Sequence, residues 1–374
     1  MNSKITVGIF VIILSLLSLL NLAVPTRSYS ENENRYLAQA PKFSLKSLLN
    51  GNFTEEFDDY ITDQFVFRDQ WVGIKTLSER LLQKGASNGV YFAEDDYLIE
   101  MFDTIDREQF EQNLNYILEF TNKVKEEYNI LVHTTLVPTA SMILKEKLPT
   151  YAPEVDQKEL LNKASDYLPN FIDVSNTLSA HDKEYIYYKT DHHWTSLGAY
   201  YSYHSYREQI GKPTTNLNDY EEEILNDQFF GTTYSKSHYY LASPDILTAM
   251  KHKELGKITV DYNLGGKITD TIYERSYLTK KDKYSVFLNA NQPITHITTS
   301  NKNGEKLLLI KDSYANTWVQ FALTDYEEIT VVDLRYYKAS LLDYIKENQI
   351  NEVLVLYNLK GFSSDINLIS LAMD

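Results

Sequence analysis

The run Lys311-Asp312-Ser313-Tyr314-Ala315 directly follows an uninterrupted apolar segment, Leu307-Leu308-Leu309-Ile310. The apolar segment reads as a buried strand and the residues after Tyr314 as a helix. A strand-to-helix turn would expose the Ser313 hydroxyl and aim the first helical N–H groups, that of Tyr314 included, at an oxyanion formed beside it. Helix N-capping is the competing role, since serine is favoured there for its own reasons. A second run, Thr190-Asp191-His192-His193-Trp194-Thr195, holds the other residue types that serine chemistry needs. A serine nucleophile requires an imidazole base that a carboxylate orients and stabilises. Asp191 and His193 can share that bond if the chain loops back between them. Asp191 or Thr190 could instead cap the helix expected from Thr195, or the paired histidines could ligate a metal. Adjacent histidines in a strand point apart, however, and no further Cys or His cluster completes a tetrahedral site. On residue types alone, capping, triad and metal all stay open.

A hydroxyl and an imidazole this distant in sequence meet only if a sheet brings them together. The C-terminal part of the chain predicts one: strand 306–310, helix 315–323, strand 328–334, helix 340–348 and strand 352–356. Uninterrupted apolar strands alternating with helices imply an α/β parallel sheet with helices on both faces. Ligands of such sheets bind beyond the carboxyl ends of the strands, where Ser313 is expected. Upstream, a helix over 106–128 followed by a strand over 130–137 is another half of an α/β unit. A helix over 157–168, a short strand over 171–174 and a hairpin over 85–100 are also expected. Residues 212–300 are less legible, with β-like pieces at 257–262, 266–273 and 294–299, and are expected to form an insertion that packs over the site.

Composition bounds the rest. The chain has 374 residues, Lys+Arg 36 against Asp+Glu 52, a net charge of −16, and no Cys. It is long enough to bury a large core. Without Cys there is no disulfide framework, no thiolate nucleophile and no lipoprotein anchor. The acidic balance argues against nucleic acid as a partner. Residues 5–24 carry no charge, and about 20 such residues cross a hydrocarbon core. Leu22-Ala23-Val24-Pro25 is a poor cleavage site, so a signal anchor over 1–25 is expected, the alternatives being a cleaved signal peptide or a buried helix. Residues 26–85 read as a membrane-proximal helical collar with an amphipathic stripe from 53 to 82. Residues 86–374 read as the catalytic domain, outside the cytoplasmic membrane. Tyrosine is the anomaly, at 30 residues against 3 Trp.

The Asp-His-His-Trp run, followed by a strand ending Lys-Asp-Ser-Tyr-Ala, resembles the DHHW family and is similar to the SGNH-hydrolase-like O-acetyltransferases that acetylate alginate and other exported polysaccharides. Further matching pieces are Glu33-Asn34-Arg35, Val137-Pro138, Val332-Asp333-Leu334-Arg335-Tyr336-Tyr337 and Val355-Leu356-Tyr357-Asn358. Ordinary SGNH hydrolases place a Gly-Asp-Ser block first and an Asp-x-x-His later. Here Lys311 replaces the Gly, the spacing is Asp-x-His, and it precedes the serine, an order that fits the permuted alginate-acetylation type.

The resemblance implies an SGNH-like sheet with Ser313 as nucleophile, His193 as general base and then acid, and Asp191 as the orienting carboxylate. It implies an oxyanion held by the Tyr314 N–H together with a side-chain amide. Asn358 is the candidate amide because it ends a strand of the same sheet, and Asn289 is the rival. Arg335 follows a strand and is a candidate for the acyl or sugar group, or for a surface salt bridge. His192 and Trp194 are expected to pack and fix the loop, and Asp312 to serve the turn. The chemistry so implied is O-acyl transfer, most simply acetyl, to a cell-wall or exported polysaccharide, with neither cofactor nor metal. Because acyl donors such as acetyl-CoA are cytoplasmic, it also implies a multi-pass membrane acyltransferase as donor partner. An esterase with the same triad and a non-catalytic glycan-binding component are the alternatives. Tyrosines beside the proposed site residues are expected to line a glycan cleft.

Overall fold

The computed structural model describes residues 3–30, 32, 33 and 35–373. Leu307 and Leu309 alternate with Leu308 and Ile310 along their strand, and the two pairs enter different hydrophobic cores. The first core takes in the helices Ser196–Gln209 and Ala315–Ala322, and the second takes in Arg107–Tyr128, Gln157–Tyr167 and Leu341–Asn348. Leu354 and Leu356 divide from Val353 and Val355 in the same way. The strands read as continuous apolar runs because both of their faces are covered.

The central sheet has seven strands in the order Lys267–Thr269, Thr259–Tyr262, Ile294–Thr298, Glu328–Val332, Lys306–Lys311, Glu352–Asn358, Val132–Val137. The last four run parallel to one another. The first three pair antiparallel, with Ile294–Thr298 joining them to Glu328–Val332. The sheet is therefore mixed, where a parallel one was expected. The antiparallel half comes from the segment expected as an insertion, which adds strands to the sheet edge instead of standing apart from it. Short connections such as Asn263–Gly266 permit antiparallel neighbours, whereas parallel ones need long crossovers. The same segment also forms a second ladder, Tyr220–Phe229 against Asp245–His252, broken by two register shifts.

Several local expectations change. Phe171 makes only an isolated parallel bridge to Thr134, so 171–174 is not a strand. Residues 85–100 form three short strands, Ala86–Ser87, Val90–Phe92 and Leu98–Glu100, where a two-stranded hairpin was expected. The stripe over 53–82 is split into the helices Asn52–Gln64 and Arg68–Leu81, with Phe67 at φ 58 in the left-handed region between them. The N-terminal helix Ser3–Ala23 has a mean hydropathy of 2.5 over its best window and no buried residue, the length and apolarity of a membrane anchor or a signal sequence.

Tyr187, Tyr188, Tyr314 and Tyr357 are all 1% exposed or less. They are core residues and do not line an open glycan cleft. Much of the surplus goes into packing, as in the cluster of Tyr200, Tyr203, Tyr206 and Tyr220 around Trp318 and Phe321, whereas Tyr336 is exposed.

Candidate active site

The parallel half of the sheet delivers the serine. Its strand ends at Lys311, the chain turns through Asp312 and Ser313, and the helix Ala315–Ala322 begins immediately after Tyr314. Ser313 is half-buried, at the carboxyl end of its strand.

Residues 188–193 form the opposing loop. It is closed at its base by a Tyr187–Trp194 bridge and by the Tyr188 N–H donating to the His193 carbonyl at 3.2 Å. The helix that follows is capped by Thr195, whose hydroxyl accepts from the Gly198 N–H, so neither Asp191 nor Thr190 is used as the cap. Asp191 turns back onto His193: its Oδ1 accepts from the backbone N–H at 3.0 Å and from Nδ1 at 2.5 Å. With Nδ1 donating, Nε2 is left as an acceptor. Ser313 Oγ lies 2.8 Å from it and donates to it. Asp191, His193 and Ser313 thus form one hydrogen-bonded chain, with the carboxylate and imidazole buried and the hydroxyl reachable.

Partners that the motifs did not point to hold this chain in place. Thr232 donates to Asp191 Oδ2 through its N–H at 2.7 Å and its hydroxyl at 2.9 Å. Gly231 lies so close that a Cβ on it would meet Asp191 Oδ2 at 2.3 Å. Asp245 accepts from the Lys189 and Thr190 N–H groups at 2.8 and 2.7 Å, pinning the first half of the loop. The Tyr284 ring stacks on the His193 ring at 3.8 Å and 11°, and its hydroxyl donates to the Ser313 carbonyl at 3.1 Å. Trp194 Nε1 donates to the Tyr314 carbonyl at 2.9 Å and so ties the two loops together. Trp194 is buried, as expected of a packing residue, whereas the His192 ring is half-exposed, with Nδ1 2.6 Å from the Thr232 hydroxyl. The ligating atoms of Asp191, His192 and His193 lie within 4.8 Å of one another. Both His193 nitrogens are engaged here, by Asp191 and Ser313.

Burial dominates the electrostatics. It lowers His193 to about 4, aided by the neighbouring His192 charge and opposed by Asp191. Burial pushes the Asp191 carboxyl up, but His193, His192 and the Thr232 N–H outweigh it and hold the group well below the usual carboxylate range. At neutral pH the pair is therefore a neutral imidazole on an ionised carboxylate, the state from which a general base acts.

The remaining candidates divide. Asn358 lies beside the triad, lining with Glu100, Thr139, Tyr188, His192 and Tyr314 a cavity of about 10 Å³, room for about one water-sized group. Its Oδ1 caps the turn Leu359–Phe362, accepting from Lys360 and Gly361, while Nδ2 makes only a long 3.4 Å contact with the Val137 carbonyl. The Tyr314 N–H, expected to be open for an oxyanion, donates to Asp312 Oδ1 at 2.9 Å. Asp312 also takes the Asn358 N–H at 2.7 Å. Burial raises the Asp312 carboxyl, against the pull of these two N–H groups.

Arg335 is committed to Asp333 through two bonds, at 2.8 and 2.6 Å, so it is an ion-pair residue and not an open group for acyl or sugar. Lys311, standing where ordinary SGNH hydrolases have Gly, bonds Asn291 Oδ1 at 2.9 Å and lies 3.5 Å from Asp333. The Asn289 carbonyl accepts from Gln292. It is Asn291, not Asn289, whose amide joins Lys311 and Asn316 beside the serine turn.

Comparison with known proteins bears on the family and the fold. A family model described as DHHW protein matches residues 161–332. A DHHW family protein from Eubacterium siraeum is similar at 28% identity and a TM-score of 0.66, over 77% of this chain and 96% of that one. Bacillus cereus PatB1 with a sulfonyl adduct aligns at 22% identity and a TM-score of 0.62, over 74% of this chain and 98% of that one. The PatB1 structure without the adduct aligns at 23% and 0.61, over 73% and 97%. No curated protein matches the chain. The likeness to PatB1 is one of fold. The Asp-His-His-Trp run, the serine turn and the helix that begins at Thr232 all fall inside the matched segment, and it is the DHHW family that this chain resembles.

Proposed function

We propose that the protein is an extracytoplasmic O-acyltransferase, most simply an O-acetyltransferase, that modifies a cell-wall or exported polysaccharide through an acyl-serine intermediate. The observation that carries this reading is the chain from Asp191 through His193 to Ser313, with its 2.5 and 2.8 Å bonds. Ser313 Oγ attacks the donor acyl carbon while its proton passes to His193 Nε2. Collapse of the tetrahedral intermediate breaks the donor C–O or C–S bond, and the proton on Nε2 goes to the leaving group. An acceptor sugar hydroxyl then gives its proton to Nε2, attacks the acyl carbon, and Ser313 leaves with that proton restored. Asp191 stays ionised throughout and stabilises the imidazolium in both halves. Asn358 Nδ2 is the side-chain donor for the oxyanion. The polysaccharide acceptor and a multi-pass membrane acyltransferase that hands acyl groups across the bilayer complete the reaction.

The test uses the purified full chain in detergent with a chromogenic acetyl ester, with and without oligosaccharide acceptors. Turnover should fall by about 10⁴-fold in both Ser313→Ala and His193→Ala. Acetyl found on sugar supports the transferase, and acetate released regardless of acceptor would make the protein an esterase. Equal turnover in wild type and both variants would leave only a glycan-binding role.

A further inference from the structure

The helix Arg68–Leu81 is amphipathic in reverse. Its inward face carries Asp69, Gly73 and Thr76, all buried. These small or polar residues dock on 237–240: the Thr76 hydroxyl donates to the Ser237 carbonyl at 2.8 Å, and the Tyr240 hydroxyl donates to the Asp69 carbonyl at 3.2 Å. The Tyr240 ring fills the place of a Cβ on Gly73. Outward point Phe67, Trp71, Ile74, Leu77 and Leu81, a continuous stripe at helical spacing that is 56%, 45%, 55%, 39% and 76% exposed. A helix on a water-soluble surface buries such a stripe. One left facing outward over several turns marks a contact surface.

What covers it follows from where the helix begins. The Val66 N–H, two residues before it, donates to Asn21 Oδ1 at 2.8 Å, and Asn21 lies in the last turn of the apolar helix Ser3–Ala23. A span of 21 residues rises about 31 Å, the thickness of a hydrocarbon core. The reversed helix therefore starts at the level where the span leaves the bilayer, and its exposed tryptophan is the side chain enriched at that boundary.

We propose that the stripe Phe67, Trp71, Ile74, Leu77 and Leu81 lies in the headgroup–acyl boundary of the membrane that Ser3–Ala23 enters, making the collar a second, interfacial membrane contact. The occupant is phospholipid, and the inference rests on Ser3–Ala23 being a retained anchor. The net charge of −16 makes attraction to anionic headgroups the wrong driving force, so the contact is apolar and insensitive to salt.

Among the three tryptophans, Trp194 and Trp318 are 0% exposed, so Trp71 alone can meet lipid. The full chain is reconstituted into phosphatidylcholine vesicles, recovered by flotation, and its tryptophan emission read with and without chain-brominated phosphatidylcholine. Bromolipid should remove half or more of the Trp71 component, taken as the difference between wild type and Trp71→Phe, equally in low and high salt. In Ile74→Glu/Leu81→Glu the chain should still float while that quenching falls at least twofold. A chain that floats but whose Trp71 is quenched by acrylamide and not by bromolipid overturns the proposal and leaves the anchor standing. Trp71 shielded from both quenchers overturns it in favour of a protein contact, a second copy if crosslinking yields dimers. A chain that does not float overturns the anchor and this inference together.

Discussion

His193 shows how much a side chain's surroundings decide what its chemistry can do. An imidazole in water is half protonated near pH 6.5. Burial against Tyr284 and the neighbouring His192 brings His193 down to about 4. A base is competent only when deprotonated, so the acid limb of kcat/KM should fall near pH 4, with activity level from about pH 6 to 8. A limb near 6.5 in a pH–rate profile would mean the ring is solvated during turnover. The depressed value also links to stability with a definite sign. The unfolded chain binds this proton below about 6.5 and the folded one only below about 4, so the contribution is complete above that window and is lost as the pH falls through it. Thr232 belongs to the same scale. Its hydroxyl is one of two donors on Asp191 Oδ2, and Thr232→Val removes that one while keeping the N–H. A lost bond to a charged acceptor is worth about 1.5–3 kcal/mol. The variant should lower kcat about tenfold or more with KM unchanged, and Thr232→Ser should restore it. Nothing in the sequence around Thr232 marks it. Residue types alone left capping, triad and metal open for Asp191 and His193, and it was the resemblance of the two runs to the DHHW family that pointed to Asp191, His193 and Ser313, whereas a Thr-to-Asp bond across 41 positions leaves no pattern at all.

At the scale of elements, the short helix Thr232–Ser237 is a strut. Its first residue holds Asp191, and its last presents the Ser237 carbonyl to Thr76 of the reversed helix. Just beyond it His238 Nε2 lies 3.3 Å from Glu33 Oε1. The helix Arg68–Leu81 and the Asp191 carboxylate are thus joined through six residues. Gly231 leads into the strut, and a Cβ there would meet both Asp191 Cβ and Oδ2 at 2.3 Å, too close for either to stay. Forcing such a contact costs about 1–3 kcal/mol. Gly231→Ala should therefore lose most fluorophosphonate labelling of Ser313 while circular dichroism still reports the α/β fold. Labelling at the wild-type rate would show that Asp191 can move without consequence. Some elements read correctly because their signals are local. The helices expected over 106–128 and 340–348 form as Arg107–Tyr128 and Leu341–Asn348, with Asp106 and Ser340 as their caps, and Glu352–Asn358 is a strand buried on both faces. The antiparallel edge was not legible, because strands of three to five residues carry too few alternations to reveal which neighbour they pair with.

At the scale of the molecule, an acidic globular domain is attached to an apolar helix with no buried residue. A reporter that is active only outside the cytoplasm, fused after residue 374, should be active in cells. Intact-mass measurement of the membrane-extracted chain should retain the N-terminal helix. A mature chain starting near residue 26 would make the helix a signal sequence. By itself the sequence determined the chemistry on offer: serine in place of thiol, an Asp-x-His partner, an apolar span, and strands covered on both faces. Each of these depends on residue types or on spacing within one element, which the chain states directly. Only the tertiary structure decided that Asp312 occupies the Tyr314 N–H, that Arg335 is spent on Asp333, that Tyr187, Tyr188, Tyr314 and Tyr357 are core, and that the helix Arg68–Leu81 turns its apolar side outward. Those outcomes depend on which of several possible partners lies within hydrogen-bond or van der Waals reach, and that is set by packing between segments that periodicity cannot relate.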